Sequence, residues 1–195
     1  MIPTLRALLL GFVLVAGLAG CAAGVLVGGT AVGIGLAHDR RTAGTVIEDQ
    51  AIELKAYGRL SREQSLQGNH INVTSYNTAV LLSGEVATPE LRRRAEDIVR
   101  NVDKVKRVHN ELIIAAPSSL ASRSSDAWIT TKVKTSLLQI DGLPDFDPTR
   151  VKVVTERGIV YLLGLLQPRE AEAVISTVRR VGGVQKIVTL FEYIE

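Results

Sequence analysis

The chain repeats itself, and that repetition limits its fold more than any other feature of the sequence. Asp49-x-x-Ile52-x-x-Lys55 recurs as Asp126-x-x-Ile129-x-x-Lys132, and Leu60 falls on Leu137, at an offset of 77. INVTSYNTAVLLSGEV (71–86) then lies over VKVVTERGIVYLLGLL (151–166) at an offset of 80, pairing Val73 with Val153, Val80 with Val160, Leu82 with Leu162 and Gly84 with Gly164. An offset of 79 carries Pro89 onto Pro168, and Val102, Val105, Val108 and Leu112 onto Val181, Val184, Ile187 and Phe191. The offset changes only between apolar blocks, as expected where loops differ in length. The shared positions are mostly apolar or glycine, the residue types that build a core and cannot perform acid–base chemistry.

Each copy reads as helix, strand, strand, helix, strand. In the second, Ser125 or Asp126 is a good helix cap, and Ile129, Val133, Leu137 and Ile140 follow on one face. VKVVT and GIVYLLGLL flank Glu156-Arg157-Gly158, and INVTS and AVLLSGEV flank Tyr76-Asn77-Thr78, both patterns of an antiparallel hairpin. The second helix opens with Pro89 or Pro168 in its first turn, where a missing N–H costs nothing. The last strand (VHNELIIA; IVTLFEYIE) returns across a helix, so it should run parallel to the strand before that helix. The expectation is an α+β chain of two tandem αββαβ domains, each a three-stranded mixed sheet packed by two helices. The domains cover 49–115 and 126–195, joined by a small, polar linker at 116–125. Domains of this size have marginal cores, which favours packing of the copies on each other.

The pattern V-x-V-x-x-x-x-G-x-V-x-L-x-G, met by Val151, Val153, Gly158, Val160, Leu162 and Gly164, resembles the BON domain, and the string DAWITTKVKTSLL resembles BON lipoproteins that carry two such domains. In the first copy Ile71, Val73, Val80, Leu82 and Gly84 match, but Thr78 or Ala79 stands where the turn glycine would be, which leaves that turn type open. The resemblance implies a non-enzymatic envelope protein that attaches to membrane, binds phospholipid or a protein partner, and supports outer-membrane integrity. It brings no catalytic residues.

The beginning of the chain reads as an address. No charged residue occurs between Ala7 and Ala37; Arg6 forms a minimal n-region, LLLGFVLVAG an apolar h-region, and Leu18-Ala19-Gly20-Cys21 sets small residues before the single cysteine. That string resembles a bacterial lipobox. It implies a signal peptide at 1–20, a diacylglyceryl group on the Cys21 thiol, cleavage before Cys21 and acylation of the freed amine. Each buried methylene contributes about 0.8 kcal/mol, so several acyl chains anchor a protein that does not span the bilayer. Ala22, where inner-membrane lipoproteins commonly carry Asp, implies export to the outer membrane, with the domains facing the periplasm. The segment 21–48 opens as a Gly/Ala-rich tether; its glycines between Gly24 and Gly35 weaken an isolated helix, although their four-residue spacing also fits a close helix contact.

Removing Arg6 with the leader turns a formal +3 into 22 basic against 20 acidic residues, no footprint for nucleic acid. One cysteine and three scattered histidines (His38, His70, His109) provide little for a metal cage, so neither metal nor cofactor is expected. No nucleophile–base pair or nucleotide loop suggests a small-molecule substrate. Arg92-Arg93-Arg94 could meet phosphate, but Glu90, Glu96 and Asp97 beside it favour a solvated, balanced face. Trp128 is the sharpest remaining signal. At 100° per residue, Trp128, Thr131, Lys132 and Thr135 cluster about 120° away from the Ile129-Val133-Leu137 stripe. An indole with hydroxyls and an ammonium suits a bilayer interface with anionic phospholipid; the other reading packs Trp128 on the first domain or the linker. A scaffold that binds an envelope protein is the alternative function.

Overall fold

A computed structural model describes residues 38–195, so the expectations for the signal peptide, Cys21 and the Gly24–Gly35 stretch lie outside the described residues. Residues 39–195 form one compact unit.

The first domain runs α1 (Ala43–Arg62), β1 (His70–Tyr76), β2 (Ala79–Val86), α2 (Pro89–Arg100), β3 (Arg107–Asn110) and β4 (Ile113–Ile114). The second runs α3 (Leu120–Leu137), β5 (Lys152–Glu156), β6 (Ile159–Leu166), α4 (Pro168–Val178) and β7 (Lys186–Tyr193). In each domain the hairpin is antiparallel and the last strand joins the central one in parallel: β2 with β3 and β4, β6 with β7. The two α+β mixed sheets are those the periodicity implies. The last strand of the first domain is interrupted at Glu111 and Leu112, although Glu111 N–H still donates to Leu82 O at 2.9 Å and β4 resumes the same register.

Helix ends follow local chemistry. Thr42 caps α1 and Thr88 caps α2 by accepting backbone N–H bonds, while Gln167 and Glu170 form a capping box on α4. Burial of Glu170 opposes its ionisation, but hydrogen bonds from Arg40 and the Gln167 N–H prevail and hold its carboxyl below the usual range.

Three cores result. Ile52, Ala56, Leu60, Val80, Leu82 and Val99 lie between the helices and sheet of the first domain. Ile129, Val133, Leu137, Val160, Leu162 and Val174 do the same in the second. The third joins the domains: Tyr76 and Leu81 pack with Tyr161 and Leu163 across the opposite faces of the two sheets. Residues 39–195 are therefore layered helix, sheet, sheet, helix. Polar bonds border the inner layer: Tyr76 Oη donates to Arg150 O and accepts from Leu165 N–H, both at 3.3 Å, Lys152 Nζ reaches Glu53 at 2.8 Å, and Asn77 Nδ2 reaches Glu192 at 2.7 Å.

The turn that lacked its glycine is resolved. Asn77 and Thr78 take positive φ (51° and 66°), as Arg157 and Gly158 do in the second copy (52° and 73°), so both hairpins use the mirror-image turn that matches strand twist. The means is a buried carboxylate on each first helix. Asp49 accepts from the Asn77 and Thr78 amides at 2.8 Å each, and Asp126 from those of Arg157 and Gly158 at 2.9 and 2.8 Å. Asp126 is thus a mid-helix clamp and not a cap.

Candidate functional site

The helix that carries Trp128 begins earlier than its apolar stripe indicates. Ser119 is the cap, accepting from Ser122 N–H at 3.2 Å, and α3 opens at Leu120, ahead of Ser125 and within the stretch read as linker. The Ser-rich start needs no apolar period to be helical once it is capped and continued by a packed helix. Asp126, Ile129, Val133 and Leu137 form the buried face.

The opposite side is open to solvent. Trp128 is 63% exposed, and Thr131, Lys134 and Thr135 are also exposed. The threonine hydroxyls turn back onto their own helix: Thr131 Oγ1 donates to Ala127 O at 3.0 Å and Thr135 Oγ1 to Thr131 O at 2.9 Å. Lys132 sits at the border of this face, half-buried, with its ammonium donating to the Gly182 carbonyl in the loop after α4. Trp128, Thr131 and Thr135 therefore share the exposed face, while Lys132 flanks it.

Two leucines extend that face and were not picked out from the sequence. Leu120 and Leu138 are 77% and 70% exposed. At 100° per residue each falls about 80° from Trp128, on the Thr131 side, so the signal was present in the same periodicity. The result is an apolar strip along α3 with an exposed ammonium, Lys134, on the same flank. Beside it runs a groove of about 650 Å³ whose lining includes Ser122, Ser125, Trp128, Lys132, Arg157 and Gln185.

The arginine run on α2 is otherwise occupied. Arg92 donates to Asn110 O at 2.6 Å, Arg93 pairs with Glu90 at 2.8 Å, and Arg94 pairs with Glu63. No helix among the described residues is long and apolar enough to cross a membrane.

Two αββαβ units with their hairpin turns clamped from the first helix define a class. The BON domain family model matches residues 48–116 and 125–195, and the chain belongs to that family. It is 35% identical over 179 residues, 91% of each chain, to the outer membrane lipoprotein DolP of Haemophilus influenzae. It is also 34% identical over 158 residues, 80% of each chain, to a 21 kDa hemolysin of Actinobacillus pleuropneumoniae. Among solved structures, CdsD, a structural protein of the type III secretion system of Chlamydia trachomatis, matches 75% of this chain and 63% of its own at 16% identity and a TM-score of 0.29, too slight to argue from. The kinship with DolP supports an outer-membrane lipoprotein with two BON domains.

Proposed function

We propose that this is a non-enzymatic lipoprotein, held on the outer membrane through acylated Cys21 and facing the periplasm, whose second domain lays the Trp128 face of α3 on anionic phospholipid and so supports envelope integrity. The observation that carries the reading is an exposed tryptophan with exposed Leu120 and Leu138 about 80° round the same helix, whose other side is committed to the core. Such a strip places an indole at headgroup depth and leucines just beneath it. Lys134 and Lys132 add attraction to anionic lipid of about 1 kcal/mol per charge near the surface.

Vesicle co-sedimentation of residues 39–195 tests this, with neutral and phosphatidylglycerol-containing vesicles compared. Both domains are kept because they share a core. Trp128→Ala should weaken binding about tenfold, the worth of burying part of an indole, with little change in the salt dependence. Lys134→Ala and Lys132→Ala should each reduce the preference for anionic vesicles about fivefold and flatten the salt dependence. Melting should scarcely move for Trp128→Ala, since substitutions at exposed positions usually stay within about 0.5 kcal/mol. Unchanged vesicle binding by folded Trp128→Ala protein would exclude this face as the lipid contact.

The anchor has its own test. Cys21→Ser removes the only thiol in the chain, so metabolic labelling with a fatty acid should fall to background and the protein should leave the membrane fraction. Full labelling of the serine variant would refute lipidation at Cys21.

A further inference from the structure

Of three histidines far apart in sequence, folding sets one against two carboxylates drawn from different domains. His70 at the start of β1, Glu85 on β2 and Glu156 at the end of β5 each offer one ligand atom, all within 4.8 Å of one another. His70 Nδ1 is 3.0 Å from one Glu85 oxygen and 4.0 Å from a Glu156 oxygen. Glu85 is wholly buried and Glu156 nearly so.

Burying two carboxylates side by side needs compensating charge, because each desolvated ion costs several kcal/mol. What the protein provides is incomplete. Ser118 N–H donates to Glu85 Oε2 at 3.2 Å, and Asn72 donates to Glu156. The nearest cation to Glu85 Oε1 is the Arg157 guanidinium at 3.7 Å, beyond hydrogen-bond reach. Glu85 Oε1 accepts no hydrogen bond, and the buried hydroxyls of Ser118, beside it, and Ser83, two positions back on β2, also lack partners. Orphaned buried polar groups call for a specific explanation, an ion being one.

The fold does not require a carboxylate here. At the offset of 80, Glu85 corresponds to Leu165 and Glu156 to Tyr76, side chains of the inner apolar layer. In each copy a carboxylate stands where the other copy has an apolar side chain, and these two carboxylates meet beside His70.

We propose that His70 Nδ1, Glu85 and Glu156 bind one divalent transition-metal ion of the zinc class between the two domains. One imidazole and two carboxylates match that class better than calcium or magnesium, which favour all-oxygen sets. Ligand atoms around a tetrahedral zinc lie about 3.3 Å apart, given bonds near 2.0 Å. The spacings here require only small side-chain shifts to reach that value. Three protein ligands leave a fourth position for water, and the ion's charge balances both carboxylates. The Arg157 side chain, 44% exposed, is then free to turn to solvent. Ser118 and Arg157 line the groove beside Trp128, while His70 and Asn72 line a second cavity, so the cluster's neighbours border open space on both sides. Because the ligands come from β1, β2 and β5, the ion would fasten one domain to the other.

Zinc titration by calorimetry into the full chain in detergent, carrying Cys21→Ser so that the lone thiol contributes nothing, tests the site. One equivalent should bind and raise the melting temperature, while calcium and magnesium at equal concentration should not displace it. His70→Gln and Glu156→Gln should each weaken binding by more than about tenfold, the least expected of a direct ligand when even supporting residues change affinity 10–100-fold. His109→Gln should leave it unchanged. Since Glu85→Gln alters a wholly buried group and can disturb folding, the unmutated cluster is also read directly: zinc should shift the His70 Nδ1 resonance in nitrogen-15 spectra and leave that of His109 in place. Absence of a saturable equivalent, uptake that survives His70→Gln with Glu156→Gln, or an unmoved His70 signal would overturn the proposal and leave a plain histidine–glutamate ion pair.

Discussion

The Gly84→Ala substitution should lower stability by about 4 kcal/mol, in the range reserved for backbone strain combined with overlap. Gly84 sits in the middle of β2 at φ +114°, a conformation open to glycine and strained for any other residue. A Cβ there would overlap the carbonyl oxygen of His70 and lie 3.0 Å from its carbonyl carbon. Neither atom can yield, because His70 is backbone-paired opposite Glu85. In a unit of this size the loss corresponds to a fall in melting temperature of roughly 8–16 °C. Gly164, its counterpart in the second copy, has no positive φ, and a Cβ would meet Arg150 O at 3.0 Å and the Leu166 side chain at 3.3 Å. Gly164→Ala should therefore cost about 1–2 kcal/mol, in the usual range of single substitutions. Thermal melts of the two variants compare positions that the repeat makes equivalent. Equal losses would show that φ at residue 84 is not what matters.

The second large effect is expected at Asp49. Its carboxylate is buried, accepts from two turn amides and from Ser75 Oγ at 2.6 Å, and pairs with Arg41 at 2.8 Å, whose guanidinium lies 4.0 Å from the centre of the Tyr76 ring. Asp49→Ala would leave two amides unpaired in a turn where neither central residue is glycine. The loss should be about 3 kcal/mol or more, since hydrogen bonds to charged groups contribute about 1.5–3 kcal/mol each and orphaned buried donors add a desolvation cost. Asp126→Ala should cost less, because Gly158 adopts its positive φ without strain and the clamp there carries less of the turn. Urea unfolding of both variants measures the difference. A larger loss at Asp126 would mean that the clamp does not substitute for the missing glycine.

Much of the fold could be read from apolar spacing because core positions report their period directly. Ile52, Ala56 and Leu60 repeat at helical intervals, Val80 and Leu82 alternate, and the paired offsets carry each of these onto the second copy. What escaped is mostly polar and depends on where distant turns and strands meet. Asp49 and Asp126 stood at matched positions, but spacing does not tell a capping carboxylate from one reaching across to a turn. The joint between the domains had a faint signal: AVLL and IVYLLGLL are apolar on both faces, as strands covered on two sides must be. The Trp128 face was legible in outline from helix angles, whereas the tie from Lys132 to Gly182 depends on where the loop after α4 falls. The meeting of His70, Glu85 and Glu156 is a matter of tertiary contact between strands far apart in the chain and leaves no local pattern.

The inner layer also bears on why the unit is duplicated within one chain. A single copy would expose a sheet face bearing Tyr161, Leu163 and Leu190, the kind of contiguous apolar patch that makes a protein self-associate. Two separate copies could satisfy that face only by meeting in solution, at a rate set by abundance. Joined through the short stretch from Ala115 to Ser119, each has its partner at an effective concentration on the order of millimolar whatever the expression level. The pair behaves as a dimer that dilution cannot separate, and its stoichiometry is fixed by the gene.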